Sequence, residues 1–383
     1  MISYGRQCID EEDINAVIDV LRSDFLTQGS KIGEFEKALC EYTGSKYCVA
    51  VANGTAALHL AVAALDISPG SSGITTDNTF VASANCMVYN GMKPLLADID
   101  TQTYNISLDS ISKEMAEKSA VLIPVHFAGQ PCDMKEIFAF ASAQGMRIIE
   151  DASHAIGSMY RDGDIVGSCK YSDITTFSFH PVKTITTGEG GAITTNSEEI
   201  YNKLLMMRSH GITRDPAIMK RKPKPWYYEM QRLGYNYRLT EIQAALGISQ
   251  LKRVSAFKRR RREIVQRYNS AFSGLEWITI PEEKTSVDSC FHLYVVLLDF
   301  DRLGITRDAL MNSLALKGIG TQVHYIPVHM QPYYEDQGIY SGTMFPNALW
   351  YYERALSLPI YPKMTNEEQD YVIEQVYSCL RSR

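Results

Sequence analysis

Short apolar runs alternate with helical stretches over the first two-thirds of the chain. The run at 48–52 meets Asn-Gly-Thr at 53–55 and continues into a helical stretch at 56–65. Further strand candidates follow at 121–125, 146–149, 174–179 and 192–195. Strands that alternate with helices form βαβ units, whose parallel strands are covered by helices on both faces. The sequence therefore predicts an α/β fold built on a largely parallel sheet.

The pattern changes in the last third of the chain. Thr240 and Gln243 have the spacing of a capping box, and apolar periodicity predicts one long helix over 240–272. β-like runs at 291–300 and 320–326 flank a predicted helix at 306–317, and a final helix starts at Thr365. We therefore expect two domains, a large α/β domain with an N-terminal arm at 1–250 and a smaller α+β domain at 251–383.

Charge and composition exclude several classes of protein. The 38 basic and 44 acidic residues give a net charge of −6, which argues against a general nucleic-acid binder. No apolar run approaches the ~18 residues that cross a bilayer, and the N-terminus lacks the features of a secretory signal. The eight scattered cysteines favour reduced, mostly buried thiols over a disulfide framework or a zinc site. We expect a cytoplasmic protein without a metal and without membrane or nucleic-acid partners.

Two basic segments leave alternatives open. Segment 258–262 lies in the predicted long helix, where a solvated helix face is favoured over a nucleic-acid site. Segment 220–225 is interrupted by Pro223 and Pro225, which is typical of a loop. This loop is a candidate for carrying positive charge toward an anionic substrate.

Two features with chemical potential lie where strands end. At 53–57 a strand passes into a helix, whose free N–H groups attract anions, while Gly54 permits close backbone approach and Thr55 supplies a hydroxyl. An ordinary capped turn has the same sequence, so this turn alone does not define a site. Asp151 follows an apolar run, at the position where ligands bind in open parallel sheets. A helix N-cap is the alternative interpretation of Asp151.

The third feature is Lys183, which lies between a strand candidate and the Gly-rich turn at 188–191. A lone lysine is usually a solvated charge, but partial burial lowers the pKa of a lysine and makes it a Schiff-base nucleophile. An anion cradle, a strand-end carboxylate and a lysine match the phosphate, pyridinium nitrogen and aldehyde of pyridoxal 5′-phosphate (PLP). Together, the three features predict a PLP site.

The chain resembles, over nearly its whole length, the sugar aminotransferases of the DegT/DnrJ/EryC1/StrS family. The matching stretches are 5–7, 26–29, 53–60, 78–85, 150–154, 178–183, 188–191 and 234–245. The resemblance implies an aspartate aminotransferase-like, fold-type I architecture and a PLP-dependent nucleotide-sugar aminotransferase that acts as a homodimer with shared active sites. Within the family, 39–44 and 178–191 look most like members that use glutamate to aminate C4 of a UDP-linked 4-keto-6-deoxy-N-acetylhexosamine in pseudaminic acid biosynthesis.

The resemblance also implies roles for single residues. Lys183 and Asp151 are the implied catalytic residues, because Lys183 holds the cofactor aldehyde and moves a proton while Asp151 keeps the ring nitrogen protonated. The implied cofactor-binding residues are Gly54, Thr55, Phe80, Asp151, His154, Ser178, Lys183 and Asn236. Phe80 stacks on the ring, and Asn236 reaches the phosphate in the neighbouring subunit. The implied substrate-binding residues are Tyr4, Thr27, His324, Tyr325 and His329.

Three other functions are weighed against this one. Sugar 3-dehydratases of the family carry histidine where Lys183 stands, which disfavours dehydration. A non-catalytic, PLP-binding regulator is disfavoured because Lys183 and Asp151 are both present. Transfer to another nucleotide-linked keto sugar, at C3 or C4 and linked to dTDP or GDP, stays open. The chain also departs from the family at 76–78, which is Thr-Asp-Asn where Val-Pro-Ser is common.

Overall fold

A seven-stranded sheet forms the centre of the protein, which we describe from a computed structural model covering residues 1–285, 287–338, 340 and 342–381. Its strands are β1 (Tyr47–Val51), β2 (Ser72–Thr76), β3 (Lys93–Ala97), β4 (Ser119–Ile123), β5 (Arg147–Asp151), β6 (Ile174–Ser178) and β7 (Gly191–Thr195). Their order across the sheet is β1-β7-β6-β5-β4-β2-β3. Strand β7 is antiparallel to both of its neighbours, and the other pairs are parallel. The predicted α/β fold with a largely parallel sheet is confirmed.

Helices cover both faces of this sheet. Those that precede the C-terminal third are α1 (Glu11–Leu21), α2 (Lys31–Thr43), α3 (Gly54–Ala64), α4 (Ala82–Tyr89), α5 (Lys113–Lys118), α6 (Met134–Gln144) and α7 (Glu198–Arg208). Successive side chains of a strand point to opposite faces, so in β1 Cys48 and Ala50 join one apolar cluster while Val49 and Val51 join the other. Burial on both faces explains why the strands are apolar runs rather than alternating patterns.

Strands β2 and β3 were not among the predicted strands. Strand β2 has the sequence Ser-Gly-Ile-Thr-Thr, which is too polar to form an apolar run. Strand β3 carries Pro94 and lies at the edge of the sheet, where proline is tolerated because one side of the strand makes no ladder. Both strands therefore lack the local signal that identified the others.

The remaining elements lie in the last 175 residues of the chain. They are β8 (Ile212–Thr213), β9 (Glu229–Met230), α8 (Glu241–Leu251), α9 (Val254–Phe272), β10 (Ile278–Thr279), β11 (Tyr294–Leu298), α10 (Phe300–Leu303), α11 (Arg307–Leu316), α12 (Pro332–Glu335), α13 (Pro346–Arg354), β12 (Ala355–Leu358) and α14 (Asn366–Arg381). Strands β10, β11 and β12 form an antiparallel sheet, whose two faces pack into two separate apolar clusters. The boundary at residue 250 stays a prediction, and residues 382–383 at the end of the second predicted domain lie outside the described part.

The single helix predicted over 240–272 is wrong, because the chain turns between α8 and α9. The capping box at its start is present, with Thr240 and Gln243 each bonding the other's backbone N–H. At the break, Lys252 caps α8 and Arg253 precedes α9. The guanidinium of Arg253 pairs with the carboxylates of Asp10 and Asp13, so this turn also ties the helices to α1.

The strand predicted at 320–326 is also wrong. Gln322 exchanges two backbone hydrogen bonds with Ser357 of β12, at 3.2 and 2.8 Å. The chain then leaves the sheet edge through a cis peptide bond between His324 and Tyr325. The segment is a loop, and its apolar residues Val323 and Ile326 line a cavity.

The solvated helix face predicted for 258–262 is wrong at Arg261. Arg261 is fully buried, and its Nη1 donates to the carbonyl oxygens of Phe291, His292 and Ile360. Its neighbour Arg259 is exposed, as predicted. In the described part of the chain, every helix is too short or too polar to cross a membrane.

Candidate active site

A cavity of about 750 Å³ lies at the carboxyl ends of β5 and β6. Ten of the thirteen predicted site residues line it: Tyr4, Gly54, Thr55, Phe80, Asp151, His154, Ser178, Lys183, His324 and Tyr325. They come from distant parts of the chain, and the sheet brings them together because neighbouring parallel strands end at the same edge.

One end of the cavity is formed by the start of α3. Asn53 caps the helix through its Oδ1, which accepts the N–H of Ala56 at 2.8 Å. The N–H groups of the first turn have no partner within the helix and point along its axis. A side chain at Gly54 would place its Cβ 2.8 Å from the Cβ of Ser178. Only glycine lets the helix start approach Ser178 this closely, and the resulting cradle suits a phosphate.

Asp151 ends β5 at the centre of the cavity. Its side chain is 5% exposed, and its Oδ2 accepts a hydrogen bond from Ser83 Oγ at 2.7 Å. Its Oδ1 accepts the N–H of Ser153 at 3.1 Å. Two donors fix the carboxylate, so it presents a negative charge in one orientation. Ser83 lies within a stretch that matches the family, but no chemical pattern in the sequence pointed to it.

Lys183 lies in the loop between β6 and β7. Its N–H donates to the carbonyl oxygen of His180 at 2.8 Å, which closes a tight turn after the strand. Burial of the side chain lowers the pKa of Lys183 to about 8, and the charge of Asp151 opposes part of this effect. A fraction of the amine is therefore unprotonated at neutral pH, as a nucleophile for an aldehyde requires.

His154 and Tyr325 form a hydrogen-bonded pair in the cavity wall. Burial, together with the nearby charges of Lys183 and His324, holds the pKa of His154 well below its usual value, so the imidazole is neutral. Its Nδ1 accepts the N–H of Ala128 at 3.3 Å. The proton therefore resides on Nε2, which donates to the Tyr325 hydroxyl at 3.0 Å. This arrangement leaves the Tyr325 O–H free to donate into the cavity.

The other predicted residues complete the lining. Phe80 is 56% exposed, and its ring centre lies 6.1 Å from that of Tyr325. The rings of Tyr4 and His324 lie 5.4 Å apart. Burial and the charge of Lys183 lower the pKa of His324 to about 3, and its Nδ1 lies 2.8 Å from Ser357 Oγ.

Three predicted site residues do not line this cavity. Thr27 and Asn236 are exposed. Asn236 forms a backbone bridge with Ser209, away from the cavity of its own chain. His329 is buried, and its Nδ1 lies 2.6 Å from Asp77 Oδ2. Their proposed contacts with cofactor or substrate stay predictions.

The sequence reasoning missed His292, which is 3% exposed and lines the cavity. Its ring centre lies 4.4 Å from that of His154. Burial and the charges around it, with His154 first among them, hold its pKa well below the usual value. A histidine at the start of an apolar run has no distinguishing pattern, so the sequence alone does not identify this position.

The chain belongs to the DegT/DnrJ/EryC1/StrS aminotransferase family, whose model matches residues 7–377. It is 39% identical over 381 residues to the spore coat polysaccharide biosynthesis protein SpsC of Bacillus subtilis, across 99% of this chain and 97% of that protein. The structure of Spr1654 from Streptococcus pneumoniae in its PMP-form has a TM-score of 0.92 and 32% identity, with full coverage of both chains. PseC of Helicobacter pylori, an aminotransferase involved in the biosynthesis of pseudoaminic acid, has a TM-score of 0.91 and 30% identity, also with full coverage.

The protein is therefore a PLP-dependent aminotransferase of a family of sugar aminotransferases. The residues of the cavity fit this cofactor, because a phosphate cradle at Gly54, a fixed carboxylate at Asp151 and a lysine of lowered pKa converge on one space. Bound PLP withdraws electrons from the carbon that carries the transferred amine. With PLP bound, Lys183 would hold the cofactor, and its Nζ would supply a base for the proton at that carbon.

Proposed function

We propose that the enzyme transfers an amino group from glutamate to C4 of a UDP-linked 4-keto-6-deoxy-N-acetylhexosamine, as in pseudaminic acid biosynthesis. The observation that carries the proposal is the convergence of Lys183 and Asp151 in one cavity, in a chain whose fold superposes along its whole length on PseC. The resemblance of 39–44 and 178–191 to this subgroup supports the same substrate. Free thiols, five of them buried, agree with a cytoplasmic location.

Each lining residue has a defined task in this proposal. The start of α3 and Ser178 bind the cofactor phosphate, and Asp151 holds the proton on the ring nitrogen. Lys183 Nζ moves a proton at the substrate carbon. The Tyr325 hydroxyl donates a hydrogen bond into the space beside His154. The loop at 322–326 and Tyr4 form the wall that faces the sugar.

A second candidate is an aminotransferase for another nucleotide-linked keto sugar. The likeness to SpsC, whose name places it in spore coat polysaccharide synthesis, favours this alternative, because that relative is more similar in sequence than PseC. Lys183 argues against dehydration and against a purely regulatory role, since both functions can dispense with a lysine amine.

A substrate panel tests the proposal. Purified enzyme is given glutamate and, in parallel, UDP-linked 4-keto-6-deoxy-N-acetylhexosamines, dTDP-4-keto sugars, dTDP-3-keto sugars and GDP-4-keto sugars. The formation of 2-oxoglutarate and of the amino sugar is followed by mass spectrometry, with Lys183→Ala as the inactive control. The proposal expects the highest kcat/KM with the UDP-linked 4-keto sugar. A higher value with a dTDP- or GDP-linked sugar would establish the alternative instead.

We also propose a homodimer in which Asn236 completes the cofactor site of the partner. Asn236 is exposed and lies outside its own cavity, on an extended segment that pairs with Ser209. An amide donates one hydrogen bond to a phosphate oxygen, and losing a bond to a charged group costs about 1.5–3 kcal/mol, or roughly ten- to a hundredfold in affinity. Asn236→Ala should therefore weaken PLP binding by that factor.

Mixed dimers distinguish a contact across the interface from one within a chain. When Lys183→Ala and Asn236→Ala subunits form a heterodimer, a shared site places both defects in one cavity and leaves the other cavity intact. At a PLP concentration too low to load the Asn236→Ala homodimer, activity should then return on mixing. If heterodimers form, as mass spectrometry would verify, and no activity returns, then Asn236 does not act across the interface.

A further inference from the structure

Two segments face each other across the mouth of the cavity. The first is residues 79–82, which follow β2 and include Phe80. The second is the loop at 322–326, which includes His324 and Tyr325. Apart from Ala82, the first residue of α4, these residues lie in no helix or strand, so contacts elsewhere must hold the two segments at a fixed separation.

Asp77 links the two segments through residues that adjoin them in the chain. It immediately follows β2 and precedes the Phe80 segment, and its N–H donates to the carbonyl oxygen of Ala97 in β3 at 2.9 Å. Its own carbonyl oxygen accepts the N–H of Val328 at 2.9 Å, and its Oδ1 accepts the N–H of His329 at 2.9 Å. Asp77 is therefore anchored in the central sheet and bonded to the chain that leaves the Tyr325 loop.

The side chain of His329 completes this connection. Its Nδ1 lies 2.6 Å from Asp77 Oδ2, and since a carboxylate accepts hydrogen bonds, the imidazole N–H is the donor. Asp77 is 0% exposed and His329 is 5% exposed, so water does not compete for the bond. The ring of His329 stacks on Phe345 at 4.8 Å, which fixes its orientation.

Asn78 extends the same connection toward the reacting groups. Its Oδ1 accepts the N–H of Tyr325 at 3.3 Å, and its Nδ2 donates to the carbonyl oxygen of Tyr104 at 3.4 Å. The hydroxyl of Tyr325 in turn bonds to His154. Residues 77 and 78 thus hold the backbone of the substrate-side loop at two points, on either side of Ile326.

We propose that Asp77 and His329 are positioning residues, whose buried hydrogen bond holds the Tyr325 loop at a fixed distance from Phe80. His329 then acts on the substrate through Asp77 and the loop, without touching the sugar. The arrangement depends on the carboxylate of Asp77, which accepts both hydrogen bonds from His329. The inference concerns the aminotransferase reaction and does not depend on which sugar is the substrate.

The test compares His329→Leu and Asp77→Ala with His329→Asn. Asparagine places an N–H donor close to the position of Nδ1, whereas leucine fills the volume without a donor. Leu310→Ala is the control for lost stability, because Leu310 is fully buried in an apolar cluster that contains none of residues 77–82 or 322–329. Each variant is measured for the KM and kcat of the sugar, for the visible circular dichroism of bound PLP, and for thermal stability.

His329→Leu and Asp77→Ala should raise the KM for the sugar about tenfold or more, since each loses a buried hydrogen bond to a charged group. They should also change the visible circular dichroism while the cofactor remains bound, because the aromatic groups around it move. His329→Asn should stay close to the wild type, and the Asp77→Ala/His329→Leu double variant should be no worse than Asp77→Ala alone. Leu310→Ala should lower the melting temperature and leave both KM and circular dichroism unchanged.

The circular dichroism keeps this inference separate from the proposed substrate. If the wild type aminates none of the sugars in the panel, the substrate proposal fails, but the dichroism of the variants still reports on the position of the loop. The inference is overturned if His329→Asn behaves like His329→Leu, or if Leu310→Ala changes KM and dichroism as much as Asp77→Ala does. If Asp77→Ala does not fold, Asp77→Asn replaces it, and a wild-type dichroism in His329→Leu alone would overturn the inference.

Discussion

The lowered pKa of Lys183 gives a measurable reactivity in the enzyme freed of its cofactor. Burial lowers this pKa from 10.5 to about 8, so about one-tenth of the amine is unprotonated at pH 7. A lysine of ordinary pKa has about 0.03% of its amine unprotonated at that pH. Lys183 should therefore present about 300-fold more free amine than an ordinary lysine at neutral pH.

An amine-labelling experiment measures this difference. The apoenzyme is reacted briefly with fluorodinitrobenzene between about pH 6.5 and 10.5, and labelling of the Lys183 peptide is quantified by mass spectrometry against Nα-acetyl-lysine amide. Labelling of Lys183 should rise about tenfold per pH unit and level off near pH 8, while the reference continues to rise. Addition of PLP before labelling should protect Lys183.

The Asp151→Asn variant tests the second effect on the pKa of Lys183, the charge of Asp151, which opposes the effect of burial. The charge of Asp151 raises the pKa of Lys183, so its removal should move the midpoint of labelling below 8. A wild-type midpoint near that of the reference compound would show that the cavity does not desolvate the amine. An upward shift in Asp151→Asn would show that burial and charge have been assigned the wrong relative effects.

Three further predictions concern the same region. Lys183→Ala should lose the visible absorption of bound PLP, and borohydride reduction of the wild type should leave a pyridoxyl adduct on Lys183 and on no other lysine. Folded Asp151→Asn should turn over about a hundredfold or more slowly, because an opposite charge is needed to keep the ring nitrogen protonated, and wild-type turnover would refute its role. Burial by itself raises the pKa of Glu150. Hydrogen bonds from His126 and other donors outweigh this effect, so the pKa of Glu150 lies below its usual value. The carboxylate of Glu150 therefore contributes its full stabilisation above about pH 4.5, and this stabilisation is lost as the pH falls. The urea concentration at which Glu150→Gln unfolds should therefore depend less on pH in the acid range than that of the wild type.

The cofactor site could be predicted because its chemistry lies in short stretches of sequence. Gly54, Asp151 and Lys183 each stand next to a strand with a clear apolar signal, and all three line the same cavity in the structure. The resemblance to a family added Phe80 and Tyr325, which also line it. The sequence shows where the strands end, and ligands of such sheets bind at those ends.

The contacts that hold the substrate side could not be predicted in this way. Asp77 and His329 are separated by 252 positions, and neither stands in a pattern that indicates a partner. Arg261 lies in a run of basic residues, yet it is buried because three carbonyl groups from two distant segments surround it. Such pairings are set by tertiary packing, which overrides the local preference of a charged residue for solvent.

The topology of the sheet explains why Lys183 can serve this cavity at all. Strand β7 is antiparallel to β6, so the chain that leaves the carboxyl end of β6 enters β7 at the same edge of the sheet. A parallel connection would have carried residues 179–190 to the opposite edge, away from Asp151. Strand β7 also pairs with β1, and a Cβ at Gly191 would lie 2.5 Å from the carbonyl oxygen of Asn53. Glycine at that position therefore brings the lysine loop and the start of α3 to the same point, so one reversal of strand direction places the amine, the carboxylate and the start of α3 around a single cavity.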